Sequence, residues 1–417
     1  MTASAYSEPS RTTQVQLPRL RPVDVRPVIQ GGRRALLLRD PLRLTDKTVI
    51  ISQHLAPLLH LCDGTRDANA LRAALGVRFG LRIGLDVMEQ LLGTFDEALL
   101  LDNGRFAEAL ERALAEYHQA PFRPPALAGQ SYPAEADELR RFLRGYFDAA
   151  DSGSPELEDI RGLVCPHIDY ARGGPVYAQV WRQAAEAVRA AELVVLLGTD
   201  HWGGEGKLTL TRQHYSTPFG ILPTARDVVD MLARTVGEEA AFAEEIHHRG
   251  EHSIELAAVW LHYVWGEQPC ELVPILCGSF GSFVRGEAQP ERDPAVTALL
   301  DGLAQVMDRR RTLIVAAADL SHVGLAFGGR PLDLVGRARV QAADDELIKR
   351  MCAGDAPRFF AAVKREGDRY NVCGLPPIYL ALRVLDPVRG ERVAYDRCPA
   401  DQDGTSLVSI CGVLLGD

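Results

Sequence analysis

The chain contains, at residues 194–201, the stretch Val-Val-Leu-Leu-Gly-Thr-Asp-His, an apolar run that ends in two ionisable side chains. Three similar runs occupy residues 163–167, 272–277 and 312–322, and they end in Pro-His, in Cys and in Asp-Leu-Ser-His. Short apolar runs bounded by Gly or Pro predict buried strands of a mostly parallel sheet. Because open α/β sheets bind ligands outside the carboxyl ends of their strands, we expect these side chains to meet at one edge of the sheet.

The composition of the 417-residue chain is that of a globular protein large enough for two domains, with 47% hydrophobic and 24% charged residues. A net charge of −10 argues against nucleic acid or an anionic membrane as a partner, because phosphate binding requires a basic surface. The sequence has no apolar run of about 18 residues and no apolar core of a secretory signal near its start. Eight cysteines without C-x-x-C pairs do not suggest a disulfide framework, so we expect a cytoplasmic protein.

Three segments differ in their residue patterns. Residues 1–30 are rich in Pro, Arg, Ser and Thr without a period, which predicts a loose N-terminal arm. Residues 31–118 predict a small winged-helix-like α+β domain, and residues 119–417 alternate strands with helices, which predicts an α/β domain with a mostly parallel central sheet flanked by helices. A proline-rich joint at residues 120–126 is expected to separate the two domains.

The smaller domain is predicted from two strands, three helices and a final hairpin with an Asn103-Gly104 turn. The predicted strands are 35–39 and 48–51, and the predicted helices are 56–62, 68–75 and 85–98. Between the first two helices the stretch Leu61-Cys-Asp-Gly-Thr65 resembles the Cys-Asp-Gly-Thr turn of PqqD-like peptide-binding domains. This resemblance implies that the domain binds a peptide or partner protein rather than DNA.

Two histidines directly follow predicted strands. His167 lies beside a Gly-Gly turn, where its imidazole can point into a crevice, although a loop histidine bonded to a backbone carbonyl is the alternative. His201 follows Asp200 at the end of the most apolar strand. Such an ionisable pair is either buried at a cost of several kcal/mol or belongs to a functional site.

Three further segments carry groups suited to acid–base or thiol chemistry. His252 lies in the first turn of a predicted helix, where the helix dipole disfavours its protonated form; the alternative is an ordinary helix cap, and His247 and His248 upstream are expected in a solvated loop. Asp319 and His322 can act as a carboxylate that orients an imidazole. Cys373 opens a predicted helix, where a thiol has a lowered pKa, or else it is a small buried apolar residue.

Taken in order, these segments resemble the Memo family, known in bacteria as AmmeMemoRadiSam system protein B. The resemblance covers most of residues 121–417. It rests on Phe122-Arg-Pro-Pro-Ala-Leu-Ala-Gly-Gln-Ser-Tyr-Pro133, Pro166-His-Ile-Asp-Tyr170, Leu197-Gly-Thr-Asp-His201, Thr217-Pro-Phe-Gly220, Glu251-His-Ser-Ile-Glu255, Val273-Pro-Ile-Leu-Cys-Gly278, Ala318-Asp-Leu-Ser-His322 and Cys373-Gly374.

The resemblance implies a fold like that of class III extradiol dioxygenases, with a non-haem metal pocket. By motif position, the family's metal ligands fall on His167, His201 and Cys373, and its further site residues fall on His252, Asp319 and His322. A thiolate ligand favours Fe(II), with Cu or Zn as alternatives, over Mg or Ca. The family name also implies a radical-SAM protein and other AmmeMemoRadiSam components as partners.

The leading hypothesis is therefore a metal-dependent redox enzyme of dioxygenase-like fold that acts on a small molecule or peptide. In this hypothesis His252 and His322 are acid–base groups and Asp319 orients or assists them. Two alternatives stay open. One is a non-enzymatic module that binds a peptide in the same crevice, and the other is a metal-independent hydrolase with Cys373 as nucleophile and a histidine as base.

Overall fold

The computed structural model describes residues 17–151, 153, 155–266 and 270–417. The chain divides into two compact units, with the boundary between Glu116 and Tyr117. Among the described residues, no helix has both the length and the apolar character needed to cross a membrane.

The β-strands are β1 (Asp24–Gln30), β2 (Arg33–Arg39), β3 (Thr48–Ser52), β4 (Ile160–Cys165), β5 (Leu193–Thr199), β6 (Leu208–Leu210), β7 (Tyr215–Thr217), β8 (Gly220–Leu222), β9 (Glu271–Cys277), β10 (Thr312–Ala317), β11 (His322–Gly324), β12 (Arg389–Pro399) and β13 (Ser406–Gly416). The α-helices are α1 (Ala56–Leu61), α2 (Ala68–Phe79), α3 (Leu85–Glu97), α4 (Gly104–Gln119), α5 (Ala136–Ala149), α6 (Tyr170–Gln183), α7 (Ala185–Ala190), α8 (Arg226–Val236), α9 (Glu238–Phe242), α10 (His252–Trp265), α11 (Gly281–Arg285), α12 (Pro294–Met307), α13 (Leu334–Cys352), α14 (Ala356–Arg365) and α15 (Leu375–Val384).

The N-terminal unit contains an antiparallel sheet in the order β1-β2-β3. Residues 24–30 pair with β2 along their whole length, so the prediction of a loose arm is wrong for this segment; residues 1–16 lie outside the described residues. The predicted hairpin after α3 is also wrong, because Asn103 begins a helix instead of a turn. The side-chain oxygen of Asn103 accepts a hydrogen bond from the Phe106 N–H at 3.1 Å, as the side chain of an N-cap residue usually does.

The α/β unit is built on an eight-stranded sheet in the order β11-β13-β4-β10-β5-β9-β6, with β12 paired to β13. The four central strands β4, β10, β5 and β9 are mutually parallel, and the strands beside them are antiparallel. The predicted α/β fold with a mostly parallel sheet is confirmed.

Both faces of this sheet are covered, which explains why its strands are apolar throughout. All seven residues of β5 are buried. Successive residues alternate between two cores: Leu193, Val195 and Leu197 pack on one face, with residues of α8, α12 and α15. Val194 and Leu196 pack on the other, with residues of α6 and α10. A strand buried on both faces shows no polar alternation, so its ionisable residues are confined to its ends.

The proline-rich joint at residues 120–126 is anchored inside the α/β unit. Arg123 is fully buried, pairs with Glu255, and donates hydrogen bonds to the carbonyl oxygens of His248 at 2.8 Å and Glu251 at 3.0 Å. The Glu255 carboxylate also accepts hydrogen bonds from the N–H groups of Ala126 and the residue after it. The joint is therefore part of the α/β unit, which begins at Tyr117.

The expectation of a solvated loop at His247 and His248 is also wrong. These residues form a 3-10 turn in which His248 is fully buried between the Tyr215 hydroxyl, 2.6 Å from Nδ1, and the Thr209 carbonyl, 3.0 Å from Nε2. Burial lowers the pKa of His248 to about 3, so this imidazole is neutral in the folded protein. His247 instead contacts Asp200, with 2.8 Å between Nδ1 and the carboxylate.

Replacing Arg123 by Met should lower the free energy of unfolding by about 3 kcal/mol or more, because Glu255 would remain buried without its cation. A matched control is Arg212→Met, which breaks a half-exposed ion pair with Asp230 and should cost less than about 1 kcal/mol. Urea unfolding of the full chain measures both changes. Equal losses for the two variants would contradict the anchoring role of Arg123.

Candidate metal centre

Three central strands deliver a polar side chain at the same distance from their ends. His167 is the second residue after β4, His201 the second after β5, and Asp319 the second after β10. Because β10 lies between β4 and β5 in parallel register, these residues emerge side by side at the carboxyl edge of the sheet. The sequence-based expectation that the ends of these apolar runs meet is confirmed for these three strands.

His167 is almost fully buried, and hydrogen bonds set its orientation. Its Nδ1 lies 2.9 Å from the Ala317 carbonyl oxygen, and its main-chain N–H donates to the Asp319 carboxylate at 2.8 Å. Nδ1 therefore keeps its proton, and Nε2 is the ring nitrogen that can bind a metal once its own proton is displaced. That Nε2 lies 3.2 Å from Cys373 Sγ and 3.7 Å from the second oxygen of Asp319.

His201 and His252 share one carboxylate, that of Glu251. Nδ1 of His201 lies 3.1 Å from both Glu251 oxygens, and Nδ1 of His252 lies 2.9 Å from one of them. The two imidazole rings stack with their centroids 4.6 Å apart, and both rings stand nearly perpendicular to that of His167. The Glu251 carboxylate thus orients two imidazoles at once.

Glu251 is a site residue that the sequence analysis treated as an ordinary cap. It is the N-cap of α10 and accepts hydrogen bonds from the main-chain N–H groups of His252 and Ser253. Burial would raise its pKa, but His201 and His252 outweigh that effect and hold the pKa well below its usual range. One feature of the sequence could have pointed to Glu251: Ser, Thr, Asp and Asn are the residues preferred at an N-cap, so a Glu in this position is unusual.

Cys373 approaches the crevice from the loop that precedes α15. The Thr199 hydroxyl donates a hydrogen bond to the Cys373 carbonyl at 3.0 Å, which ties this loop to the end of β5. A side chain at Gly374 would lie 2.4 Å from the Asp319 carbonyl oxygen, so only glycine permits this close approach. Burial would raise the pKa of Cys373, but His167 and His322 outweigh it and lower that pKa well below its usual value.

Asp319 does not orient His322 in the way the sequence suggested. Its carboxylate contacts His167, whereas His322 Nδ1 lies 3.2 Å from the Leu320 carbonyl oxygen. Residues 318–321 separate β10, which ends at Ala317, from β11, which begins at His322. The interpretation of these two residues as a carboxylate–imidazole pair is therefore wrong, although Cys373 and Asp319 both help to raise the pKa of His322 against the effect of burial.

The donor atoms of this crevice fit a transition-metal ion. One ring nitrogen each of His167, His201 and His252 lies within 4.8 Å of the other two, and Cys373 Sγ lies beside His167. Metal-ligating histidines ordinarily use their second ring nitrogen to hydrogen-bond a carboxylate or carbonyl, which is the arrangement seen at all three residues. Nitrogen and sulfur donors suit Fe, Cu or Zn better than Mg or Ca.

A second group with metal-ligand spacing in the described part of the chain consists of Asp200, Glu244 and His247. The polar atoms of these side chains already have hydrogen-bond partners within the group or in the adjacent loop. Asp200 accepts from the Trp202 N–H at 3.0 Å and Glu244 from the Gly204 N–H at 3.0 Å, while His247 contacts Asp200. Their evident role is to hold residues 200–204 against the turn that carries His247.

Comparison with known proteins identifies relatives of the α/β unit. The family described as "Memo-like protein" matches residues 123–413. A MEMO1 family protein of Aquifex aeolicus is 28% identical over 311 residues, covering 75% of this chain and 77% of its own length. One from Methanopyrus kandleri is 30% identical over 285 residues, covering 66% and 91%. One from Methanococcoides burtonii is 28% identical over 257 residues, covering 61% and 84%.

In metal-free protein, Cys373 should be alkylated by iodoacetamide at nearly the same rate from about pH 6 to about pH 8, because a lowered pKa keeps the thiol ionised over this range. An ordinary thiol would react about tenfold faster for each pH unit gained below its pKa. Cys398 is the internal control, since burial raises its pKa to about 12. Mass spectrometry of the labelled peptides measures both, and a Cys373 rate that rises steeply with pH would contradict the thiolate.

Proposed function

This chain belongs to the Memo family, and on that premise we propose that its α/β unit is a metal-dependent redox protein that binds Fe(II), with Cu or Zn as alternatives. His167, His201 and Cys373 are the proposed ligands. The observation that carries the proposal is the fixed orientation of the imidazoles. Each proposed histidine ligand has its Nδ1 held by a buried acceptor, which leaves Nε2 for a metal.

A ferrous ion held by His167, His201 and Cys373 would supply redox chemistry with O2 and a substrate. The chain's own residues set the conditions for that chemistry. Glu251 orients the His201 imidazole, Asp319 holds the His167 main chain, and both place negative charge beside these rings. His322 keeps Nδ1 on a backbone carbonyl, so its Nε2 can hold or release a proton beside Cys373.

His252 is the one residue for which the geometry supports two roles. Its ring nitrogen has ligand spacing with those of His167 and His201, which makes three histidines an alternative donor set to two histidines and Cys373. Its side chain is 38% exposed, against 30% for His201 and 2% for His167, so exposure does not separate it from the proposed ligands. We retain His252 as an acid–base group because Cys373 Sγ, 3.2 Å from His167 Nε2, supplies the third donor.

A metal-independent thiol hydrolase is the second candidate, favoured by the 3.2 Å separation of Cys373 Sγ and His167 Nε2. A Cys-His pair of this kind uses a third group to orient the far nitrogen of the imidazole. Here that nitrogen bonds a backbone carbonyl, while the Asp319 carboxylate lies on the same side as the thiol. Cys373 and His167 are therefore arranged more like two ligands of one metal ion than like a nucleophile and its base.

Replacing His201 by Ala should abolish stoichiometric iron binding by anaerobically purified protein while the fold is retained, because one of three ligands is removed. Cys373→Ser should also lose the metal, whereas His252→Gln should keep it. Metal analysis by mass spectrometry, with circular dichroism for folding, measures these outcomes.

His247→Ala is the matched control, since it removes a neighbouring histidine from the second acidic group and should leave iron content unchanged. Loss of iron in that variant but not in His201→Ala would place the metal at Asp200 and Glu244 and contradict the proposal. Iron retained in Cys373→Ser and lost in His252→Gln would instead establish the three-histidine donor set.

Replacing His322 by Gln should leave iron bound but slow the consumption of O2 by the ferrous protein, because the proton held beside Cys373 is lost. A slowing of about a hundredfold or more is the expected size of an acid–base contribution. An oxygen electrode measures the rate, and parallel metal analysis shows whether iron is still present. If the iron leaves with His322, that residue is a ligand and its assigned role is wrong.

A further inference from the structure

A cavity of about 270 Å³ lies between the segment that follows His322 and the first turns of α13. Its apolar wall includes Val323, Phe327, Leu332 and Val340, and Tyr370 closes one side. This volume accommodates a small molecule rather than a polymer, and its lining is mainly apolar with a few polar groups, as is usual for ligand pockets.

The charged groups that line this cavity are all positive. Among the described residues, the lining contains Arg330, Arg339 and Arg369 and no Asp or Glu. Arg369 already pairs with Glu366, with 2.7 Å between the charged atoms. No ion pair is found for Arg330 or Arg339 in the described ranges, so these two guanidinium groups are available to an anionic ligand.

Acidic residues close to this cavity are not on its lining. Asp333, the N-cap of α13, directs its carboxylate to the Gly336 N–H at 2.6 Å. An adjoining cavity of about 290 Å³ shares Arg339 and Arg369 but is also lined by Glu346, Glu366 and Asp368. The unbalanced positive charge is therefore a property of the first cavity, which has both an apolar wall and cationic groups.

The walls of the cavity are the segments that hold the metal-site side chains. Phe327 packs edge-on against the His322 ring, with 5.1 Å between centroids. The His322 N–H donates to the Tyr370 carbonyl at 2.7 Å, and the Asn371 side chain donates to the His322 carbonyl at 3.0 Å. Cys373 follows Asn371 by two residues. A molecule in the cavity thus contacts both segments that carry His322 and Cys373.

We propose that this cavity binds a small organic anion, an apolar body that carries a carboxylate or phosphate group. The anionic group binds Arg330 and Arg339, and the apolar body lies against Phe327 and Val340. The binding rests only on the cavity and its two arginines, and a role for the anion in the chemistry of the neighbouring metal centre would rest on the proposed function.

The test uses octanoate, octyl phosphate and neutral octanol as probes that displace 8-anilino-1-naphthalenesulfonate from the full chain, with and without prior chelation. Both anions should displace the dye at far lower concentration than octanol. Arg330→Gln and Arg339→Gln should each weaken octanoate by about tenfold or more, the size expected for a lost hydrogen bond to a charged group. Arg309→Gln, which removes an exposed arginine outside the cavity, should leave binding unchanged.

Equal displacement by octanol and octanoate, or equal affinities in Arg339→Gln and Arg309→Gln, would overturn the proposal. Preference for octyl phosphate would support it and assign a phosphate as the anionic group. Iron content measured on the same preparations separates the two ideas. A protein that binds octanoate but no iron refutes the metal centre alone, and one that binds iron but shows no anion preference refutes the cavity alone.

Discussion

The candidate site depends on two buried carboxylates, Asp319 and Glu251, which lie beneath the imidazoles at the carboxyl edge of the sheet. Their side chains are only 2% and 3% exposed. A buried carboxylate is costly unless cations and hydrogen-bond donors surround it. Asp319 receives the His167 N–H, and Glu251 receives donors from His201, His252 and Ser253. Glu251 also contacts Nδ1 of His201 and of His252, so the residues that satisfy this carboxylate are the ones whose rings it orients.

This dependence explains the protonation states of the metal-free protein. The thiol of Cys373 is ionised because histidines surround it, and the pKa of His167 is raised to about 9 because Asp319 and Cys373 outweigh the effect of burial. The crevice then holds thiolate and imidazolium groups in contact. A metal must displace the imidazolium protons to bind, so its affinity falls as the pH falls. His248 shows the contrast: it is equally buried, its ring nitrogens contact a hydroxyl and a carbonyl oxygen instead of a carboxylate, and it is neutral.

Much of the architecture follows from the sequence, because it is encoded in short patterns. Apolar runs buried on two faces have no polar positions except at their ends, which is why residues 163–167, 194–201 and 312–322 predicted both the parallel sheet and the location of the crevice. The partner of each polar group was not predictable in this way. Asp319 and His322 are close in sequence, but Asp319 instead meets His167, which is 152 residues away, and the His322 ring contacts the Leu320 carbonyl. From the sequence, Glu251 resembles a helix cap and Arg123 resembles a linker residue. Only the tertiary fold shows that both are buried.

The central claim is that one transition-metal ion is held at the end of β4 and β5. The most direct measurement is an anomalous-scattering map at the iron absorption edge from crystals of protein purified and grown without oxygen. The account predicts a single strong peak within bonding distance of His167 Nε2, His201 Nε2 and Cys373 Sγ. A map without a peak there, or with its peak between Asp200, Glu244 and His247, would contradict it.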